Sequence, residues 1–257
     1  KIQVRKYLNR HDIKEWLKKY KRSSDTCVIY SSKDREEFTL KTVQRLLKSG
    51  GNFEIVWIDG SEKKSSIELM DSISIKEKKI VGSFKDVSGG PDIAIMLGLR
   101  LAMAKKYKYV VLLENDTYLS LDWLKKSKIL LNLKSKKVGA CCLTNYENHN
   151  LVNYKKYSII YVIGASCVIF KEKVVKNILK DYGLTTSKRI NNIFSGEFGK
   201  IPDSNYALYR NADNYLQGAD WKFASTIYNN GYLSLSPRPT IARNLDAQPK
   251  KFKTRYL

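Results

Sequence analysis

Residues 109–116, YVVLLEND, decide the fold that this sequence predicts. The run from Tyr109 to Leu113 is continuously hydrophobic, which is typical of a short strand that is buried on both faces. It ends directly in the polar triplet Glu114-Asn115-Asp116. Because strands buried on both faces belong to parallel sheets covered by helices, the stretch predicts the class of fold and also a polar site at one edge of the sheet.

Three earlier hydrophobic runs repeat this pattern, and amphipathic helical patterns alternate with them. The strands are expected at 26–32, 53–61 and 78–84, and the helices at 35–51, 92–107 and 122–133. Strands that alternate with helices pair in parallel through right-handed crossovers. The sequence therefore predicts an α/β fold with a Rossmann-like, mostly parallel central sheet and helices on both faces.

The second half of the chain has a different pattern. Strands are expected at 137–144 and 157–170, separated by a polar loop, and a helix is expected at about 171–182. Residues 184–217 are irregular and too long for a plain connector, so they predict a binding lid on the acceptor side. A helix at 220–232 and a strand with an extended tail complete the chain.

The composition is that of a globular protein with a strongly basic surface. The chain has 257 residues, 47 Lys and Arg against 25 Asp and Glu, and a formal net charge of +22. Such a surface attracts polyanions such as nucleic acid, anionic lipid headgroups or anionic glycans, although the basic residues are dispersed and a solvated lysine-rich surface explains them equally well.

Three further features bear on the location of the protein. Its four cysteines, Cys27, Cys141, Cys142 and Cys167, lie in strand-like runs without CxxC spacing, which predicts buried reduced thiols and a cytoplasmic location. The longest hydrophobic run, 159–170, is too short to span a bilayer. Residues 11–21 form an amphipathic pattern, typical of a packed N-terminal helix and less often of a membrane anchor.

Polar residues follow each of the four strands predicted in the first half, at the edge where open α/β sheets bind ligands. Each of these residues alone is also an ordinary turn residue, but together they predict a nucleotide pocket. The Gly89-Gly90 pair would let a phosphate approach the backbone at a helix start, although neither a P-loop nor a GxGxxG pattern is present. The candidates for nucleotide or donor binding are Ser31, Asp34, Asp59, Gly90, Glu114 and Asn115.

The acids Glu114 and Asp116 also suggest a metal site. Residues i and i+2 of an extended segment point to the same side, so both carboxylates can face one cation. Oxygen ligands suit Mg²⁺ or Mn²⁺, which would bridge the oxygens of a diphosphate and neutralise the charge that develops on it. A solvated polar turn is the alternative.

The sequence resembles the GT-A glycosyltransferases of the inverting family 2 type over roughly residues 26–244. The resemblance lies in TCVIYSSKDREEF, EIVWIDGSE, GGPDIAIMLGLRLA, YVVLLENDTYLSLDWL, IIYVIGASCVIFKEKVV and QGADWKFASTIYNNGY. It implies a domain at 25–257, with a nucleotide-binding half at 25–135 and an acceptor half at 136–257, preceded by a helical extension at 1–24.

The resemblance also implies roles for individual residues. Asp116 would ligate Mn²⁺ or Mg²⁺, Glu114 would contact sugar or metal, Asp59 would contact the base, and Ser31 would lie near the nucleoside. Asp220 would be the catalytic base, although Ala219 replaces the glutamate usual before it. The family's late metal-binding histidine is missing, since the two histidines are His11 and His149. Further candidates for phosphate, acceptor or base roles are Arg243, Asn244, Glu197 and Asp203.

These features predict transfer of a sugar from a nucleotide-diphospho-sugar, with UDP favoured, to a hydroxyl of a glycan or lipid-linked acceptor, with inversion. The basic surface favours an anionic acceptor and contact with an anionic membrane at the inner face of the plasma membrane, and bacterial surface polysaccharide synthesis is the expected setting. The alternatives are a basic nucleic-acid-binding module, for which no aromatic-basic motif is present, and a nucleotidyltransferase, for which no early phosphate loop is present.

Overall fold

A computed structural model describes residues 2–134, 137–164, 166–181 and 219–245. The chain forms two compact units. The first comprises the chain up to Leu124 together with the segment that begins at Ala242, and the second comprises the chain from Lys125 to Ile241. Each unit is built from a layer of strands packed against helices, and the predicted α/β class is confirmed.

The first unit carries six strands and five helices among its described residues. The strands are β1 (Thr26–Ser32), β2 (Glu54–Asp59), β3 (Ile80–Phe84), β4 (Tyr109–Glu114), β5 (Thr117–Leu119) and β11 (Ala242–Asn244). The helices are α1 (Ile2–Leu8), α2 (His11–Lys19), α3 (Glu36–Lys48), α4 (Lys64–Ser74) and α5 (Pro91–Ala104).

Four of these strands form a parallel sheet in the order β3-β2-β1-β4. The hydrophobic run of β4 is buried from Val110 to Leu113, as its sequence predicts. In this register Ser32 lies opposite Asp59, and Ser31 lies opposite Glu114. The parallel pairing thus brings the polar residues that end the strands to one edge of the sheet.

Helix α5 covers the buried strand β1 at close range. The helix is largely hydrophobic and buries residues along most of its length. A Cβ on Gly98 would lie 2.2 Å from Cγ2 of Ile29, so only glycine allows the helix to approach the strand this closely.

The two N-terminal helices pack on the first unit. Helix α2 buries Ile13, and Nε1 of Trp16 donates a 2.6 Å hydrogen bond to the carbonyl of Val81 on β3. The Trp16 ring meets Phe84 edge-on at 5.7 Å between ring centroids. Since β3 is the outer strand of the four-stranded group, α2 covers a strand edge that would otherwise offer its backbone to another chain.

The second unit combines parallel and antiparallel strands in the order β9-β6-β10-β8-β7. Strand β10 pairs in parallel with β6, whereas β10 with β8, β8 with β7, and β6 with β9 pair antiparallel. The strands are β6 (Val138–Cys142), β7 (Asn150–Asn153), β8 (Tyr157–Ile160), β9 (Cys167–Lys171) and β10 (Leu233–Pro237). The helices are α6 (Trp123–Leu131), which begins before the division between the units, α7 (Glu172–Asp181) and α8 (Ala219–Asn229).

The structure corrects three predictions about secondary structure. The strand expected at 157–170 is two strands, β8 and β9, because residues 161–164 leave the strand conformation. The polar loop expected after β6 contains strand β7, which pairs with β8. Between the strands expected at 53–61 and 78–84, where no helix was predicted, lies helix α4. Its buried residues are Ser66 and Met70, so it has no long hydrophobic stripe that would mark a helix in the sequence.

All four cysteines are buried and reduced, as predicted. Cys27 lies in β1, and burial raises the pKa of its thiol well above the ordinary value. No helix in the described part of the chain combines the length and the hydrophobicity that a membrane span needs.

Candidate functional site

The candidate site of the first unit lies at the carboxyl ends of β1, β2 and β4. A backbone hydrogen bond joins the ends of β1 and β2, since the amide of Gly60 donates to the carbonyl of Ser32 at 2.9 Å. A Cβ on Gly60 would lie 2.8 Å from the carbonyl oxygen of Val87, so glycine is required where the loop after β3 crosses the end of β2. Ser31 is half-buried at this edge, opposite Glu114.

Asp59 lies at the bottom of the site, only 1% exposed. Its carboxylate accepts hydrogen bonds from the Ser32 hydroxyl, from the Ser61 hydroxyl at 2.8 Å and from the Ser61 amide at 3.1 Å. Nε1 of Trp57 in turn donates to the Ser32 hydroxyl at 2.8 Å. The protein itself therefore fixes the carboxylate and supplies its hydrogen bonds.

Two other predicted residues hold the loops of the site. The Asp34 carboxylate accepts from the amides of Glu62 and Lys63, so it supports the start of α4. The amide group of Asn115 donates to the carbonyl of Asp34 at 3.2 Å and to the Thr39 hydroxyl at 2.9 Å. These contacts connect the turn after β4 to the start of α3, and they give both side chains a positioning role.

Asp116 is the central carboxylate of the site. The residue is 8% exposed, and its Oδ2 accepts from Nη1 of Arg35 at 3.2 Å and from Nδ2 of Asn244 at 3.4 Å. Its other carboxylate oxygen, Oδ1, is buried without a hydrogen-bond partner among the described residues. A buried carboxylate oxygen without a partner is costly, and a bound cation would satisfy it.

Arg35 belongs to the site, and sequence reasoning missed it. Its backbone is left-handed, with φ at 60°, directly before α3, and its guanidinium lies 4.4 Å from the centre of the Phe38 ring. The signal available in the sequence was its position three residues after the end of β1, in SSKDR. Nothing in that pattern shows that the side chain turns toward Asp116.

A two-stranded ladder of β5 and β11 brings residues 242–245 to the site. Antiparallel pairing sets Arg243 opposite Tyr118 and Asn244 opposite Thr117, and the amide of Leu245 donates to the carbonyl of Asp116 at 2.6 Å. The Arg243 guanidinium is exposed and lies 5.0 Å from the centre of the Tyr118 ring. Of the predicted candidates, Asn244 therefore contacts Asp116, and Arg243 is its neighbour in β11.

Gly90 precedes α5 in an exposed position. Its φ of +85° favours glycine, and a Cβ placed there would meet no atom within 4 Å. The backbone conformation therefore explains the glycine, and the space above it is open to a ligand at the start of a 14-residue helix.

The described residues fit a divalent cation that is shared with a ligand. They contain no group of three or more His, Cys, Asp or Glu side chains that could enclose a metal. One carboxylate oxygen is nevertheless available at Asp116, and Mg²⁺ is commonly held by one or two carboxylates together with substrate phosphates. Beneath the site, burial raises the pKa of Tyr30 well above its ordinary value, and the negative charges of Asp116 and Asp59 raise it further.

The remaining predicted residues lie in the second unit or outside the described residues. Asp220 is the second residue of α8, and its side chain is outside the described part of the chain. Glu197 and Asp203 also lie outside the described residues. His149 is half-buried, with the rings of Tyr146 and Tyr161 beside it, and burial lowers its pKa.

Several solved structures share this fold at low sequence identity. A mannosyltransferase from Pyrobaculum calidifontis aligns with a TM-score of 0.50 and 15% identity over 88% of this chain and 81% of its own. S. aureus TarS 1-349 aligns with a TM-score of 0.53 and 12% identity over 82% of this chain and 55% of its own. GalNAc-T7 aligns with a TM-score of 0.58 and 10% identity over 86% of this chain and 44% of its own. The chain thus spans about half of the length of the last two proteins.

The sequence comparisons give one family and no individual relative. No curated protein matches the chain. Residues 27–200, more than half of the sequence, match glycosyl transferase family 2, and this range includes all four strands of the parallel sheet except the first residue of β1. The protein is therefore a glycosyltransferase with a GT-A fold, and it belongs to glycosyl transferase family 2.

Proposed function

We propose that this protein transfers a sugar from a nucleotide-diphospho-sugar to a hydroxyl of a glycan or lipid-linked acceptor, with inversion at the anomeric carbon. The observation that supports the donor most directly is the buried Oδ1 of Asp116, which has no hydrogen-bond partner among the described residues. A divalent cation there, Mn²⁺ or Mg²⁺, would neutralise the charge that develops on the leaving diphosphate.

On the donor side, each residue has a role that follows from its place. Arg35 and Asn244 hold Oδ2 of Asp116, and Oδ1, which has no hydrogen-bond partner among the described residues, would hold the cation. Glu114 ends β4 beside Ser31 and would contact the sugar or the metal, while Ser31 and Asp59 would contact the nucleoside. Asp34 and Asn115 support the loops, and Gly90 and Arg243, which are both exposed, would contact phosphate oxygens.

On the acceptor side, Asp220 would act as the base. The acceptor oxygen attacks the anomeric carbon as the bond from that carbon to the diphosphate breaks, and the hydroxyl proton passes to the carboxylate. Inversion follows because the attack and the departure occur on opposite faces. Glu197 and Asp203 remain the alternative bases. The helical extension at 1–24, the nucleotide-binding half at 25–135 and the acceptor half at 136–257 are part of this proposal.

The ligands of the structural neighbours guide the choice of donors to test. The Pyrobaculum calidifontis enzyme was solved with GDP-Man and Mn²⁺, TarS with UDP-GlcNAc, and GalNAc-T7 with UDP, GalNAc and Mn²⁺. All three ligand sets contain a nucleotide diphosphate, which supports the reaction class. Uracil nucleotides occur in two of the three, so a UDP-sugar is the favoured donor.

The surface charge supports the proposed acceptor and location. A net charge of +22 favours an anionic acceptor, such as a lipid-diphosphate-linked glycan, and peripheral contact with an anionic membrane. A cytoplasmic location at the inner face of the plasma membrane, in bacterial surface polysaccharide synthesis, would provide both. The four buried reduced thiols support a reducing compartment.

A donor panel tests the proposal. Thermal shift and donor hydrolysis would be measured with UDP-, GDP-, CMP- and dTDP-sugars, each with Mn²⁺, with Mg²⁺ and with EDTA. We expect one nucleotide class to stabilise the protein and to be hydrolysed slowly in the presence of metal. No response to any nucleotide sugar, together with salt-dependent binding of random oligonucleotides, would instead favour a nucleic-acid-binding protein. Turnover of nucleoside triphosphates alone would favour a nucleotidyltransferase.

A further inference from the structure

The loop between β3 and α5, residues 85–90, is the part of the donor site whose conformation depends on other segments. Three of its residues have positive φ: Asp86 at 57°, Gly89 at 110° and Gly90 at 85°. Such a backbone does not hold itself in place, because a non-glycine residue with positive φ is disfavoured and glycine has many alternatives. Ser88, Gly89 and Gly90 are also exposed, so little packing around them opposes a change of conformation.

One side of this loop is fixed by the end of β2. The amide of Val87 donates to the carbonyl of Asp59 at 3.0 Å, and the Val87 side chain is 2% exposed. The Val87 carbonyl packs against Gly60, where a Cβ would lie 2.8 Å away. A shift of the loop would therefore also move the backbone at Asp59, one of the proposed donor contacts.

The other side of the loop is fixed by the N-terminal helices. The hydroxyl of Tyr7, a residue of α1 that is 6% exposed, lies 2.9 Å from both the carbonyl oxygen and the hydroxyl of Ser88. Nη1 of Arg10 donates to the carbonyl of Lys85 at 2.5 Å. The same guanidinium forms an ion pair with Asp12 at the start of α2. Gln3 of α1 lies near Gly89, since a Cβ built on Gly89 would be 3.5 Å from its Oε1.

The helices that make these contacts are themselves anchored in the first unit. Ile13 is fully buried, and Trp16 is hydrogen-bonded to Val81. Nζ of Lys105, just after α5, donates to the carbonyl of Leu17 at 2.6 Å. Tyr7 and Arg10 thus connect a rigid base to a loop that has no regular structure of its own.

We propose that the N-terminal helices are a positioning element of the donor site, in which Tyr7 and Arg10 hold residues 85–90 in the conformation that receives the donor's phosphates at Gly90. That the loop receives a nucleotide-sugar donor rests on the proposed function. The coupling between the helices and the loop does not depend on it. The helical extension is then required for donor affinity and not only for stability. Neither Tyr7 nor Arg10 is proposed to touch the donor.

The matched variants follow from these contacts. Tyr7→Phe removes one hydroxyl and keeps the buried ring, and Arg10→Gln removes the guanidinium from the Lys85 carbonyl. Arg5→Gln is the control, because Arg5 is exposed on the same helix and makes no described contact with the loop. Hydrogen exchange of the amides in 85–93 would be measured without ligand, alongside donor KM and kcat.

We expect faster exchange at 85–93 in Tyr7→Phe and Arg10→Gln, with thermal midpoints close to that of the unaltered protein. Loss of one such hydrogen bond should raise donor KM about fivefold and leave kcat within about twofold, while Arg5→Gln changes neither. Unchanged exchange at 85–93 in both variants, or a fall in kcat without a rise in KM, would overturn the inference. If the unaltered protein uses no nucleotide sugar, the proposed function fails, and the exchange data still decide whether the helices hold the loop.

Discussion

Nδ2 of Asn244 lies 3.4 Å from Oδ2 of Asp116, although 128 residues separate the two in the sequence. The pairing of β11 with β5 produces this contact, because it sets Asn244 opposite Thr117 in an antiparallel ladder. Asn244 and Arg35 together orient the Asp116 carboxylate: both donate to Oδ2, and Oδ1 remains for a ligand. The segment after β10 therefore completes a site that begins at the end of β4.

Replacing Asn244 by alanine should weaken metal-dependent nucleotide binding without unfolding the protein. Asp116 would lose one of the donors that fix its Oδ2, so its Oδ1 would be held less firmly toward the cation. We expect the affinity for nucleotide diphosphate in Mn²⁺ to fall about tenfold, as measured by isothermal titration calorimetry. Asn52→Ala is the control, since Asn52 is exposed and precedes β2, at the opposite end of the strand from Asp59. Equal affinities in the two variants would remove Asn244 from the site.

Asp220→Asn should separate catalysis from donor binding. If Asp220 accepts the acceptor proton, its amide analogue keeps the size of the side chain but cannot act as a base, and kcat should fall about 100-fold or more. The Kd for donor should stay within about twofold, because a residue that acts only on the acceptor proton contributes little to donor binding. An exposed carboxylate on α4, replaced in Glu68→Gln, provides the control. Retained transfer in Asp220→Asn would direct the search to Glu197 and Asp203.

Gly98→Ala should destabilise the first unit. The new Cβ would lie 2.2 Å from Cγ2 of Ile29, so α5 must move away from β1. Overpacking of this kind costs about 2 kcal/mol, and the thermal midpoint should fall accordingly. The double variant Gly98→Ala/Ile29→Ala tests the cause. Because Ile29→Ala removes Cγ2, it should lower the thermal midpoint less in the Gly98→Ala background than in the unaltered protein. Strict additivity of the two losses would contradict a direct clash.

Glu54 should give the protein an acid-sensitive contribution to stability. Burial raises the pKa of this carboxyl, but hydrogen bonds from Ser23 and Tyr107 outweigh it, so the folded-state pKa lies below the ordinary 4.5. A depressed folded pKa stabilises the protein above the unfolded-state pKa, and that stability is lost as pH falls through the folded value. Thermal midpoints from pH 7 to pH 3 should therefore fall less steeply in Glu54→Gln than in the unaltered protein or in Glu68→Gln. Parallel pH profiles would contradict this assignment.

The main features of the first unit followed from local pattern. The hydrophobic runs at β1, β2 and β4 required burial on both faces, and parallel pairing then placed Ser31, Asp59 and Glu114 at one edge. Strands β5 and β11 were not predicted, because three-residue strands carry no periodicity that could be distinguished from a turn. Helix α1 was also missed, since its seven residues are too few to show an amphipathic stripe.

Local sequence pattern also predicted part of the site. Asp116 could be singled out because it follows a buried strand at the edge where open α/β sheets bind ligands, with a second acid, Glu114, two residues before it. The partners of its Oδ2 could not be predicted, since Arg35 reaches it from the loop after β1 and Asn244 from β11. The prediction that Asp34 binds the donor remains untested, but sequence gave no sign that its carboxylate accepts from the amides of Glu62 and Lys63.

The central claim is that Asp116 holds a divalent cation together with a nucleotide diphosphate. The most direct test measures the Kd of the diphosphate form of the nucleotide selected by the donor panel, with Mn²⁺ and with EDTA, for the unaltered protein and for Asp116→Asn. We predict that Mn²⁺ tightens binding by about tenfold or more in the unaltered protein, equivalent to about 1.4 kcal/mol, and that Asp116→Asn abolishes this gain while its affinity in EDTA changes little. An Asp116→Asn protein that retains the full gain from Mn²⁺ would contradict the claim.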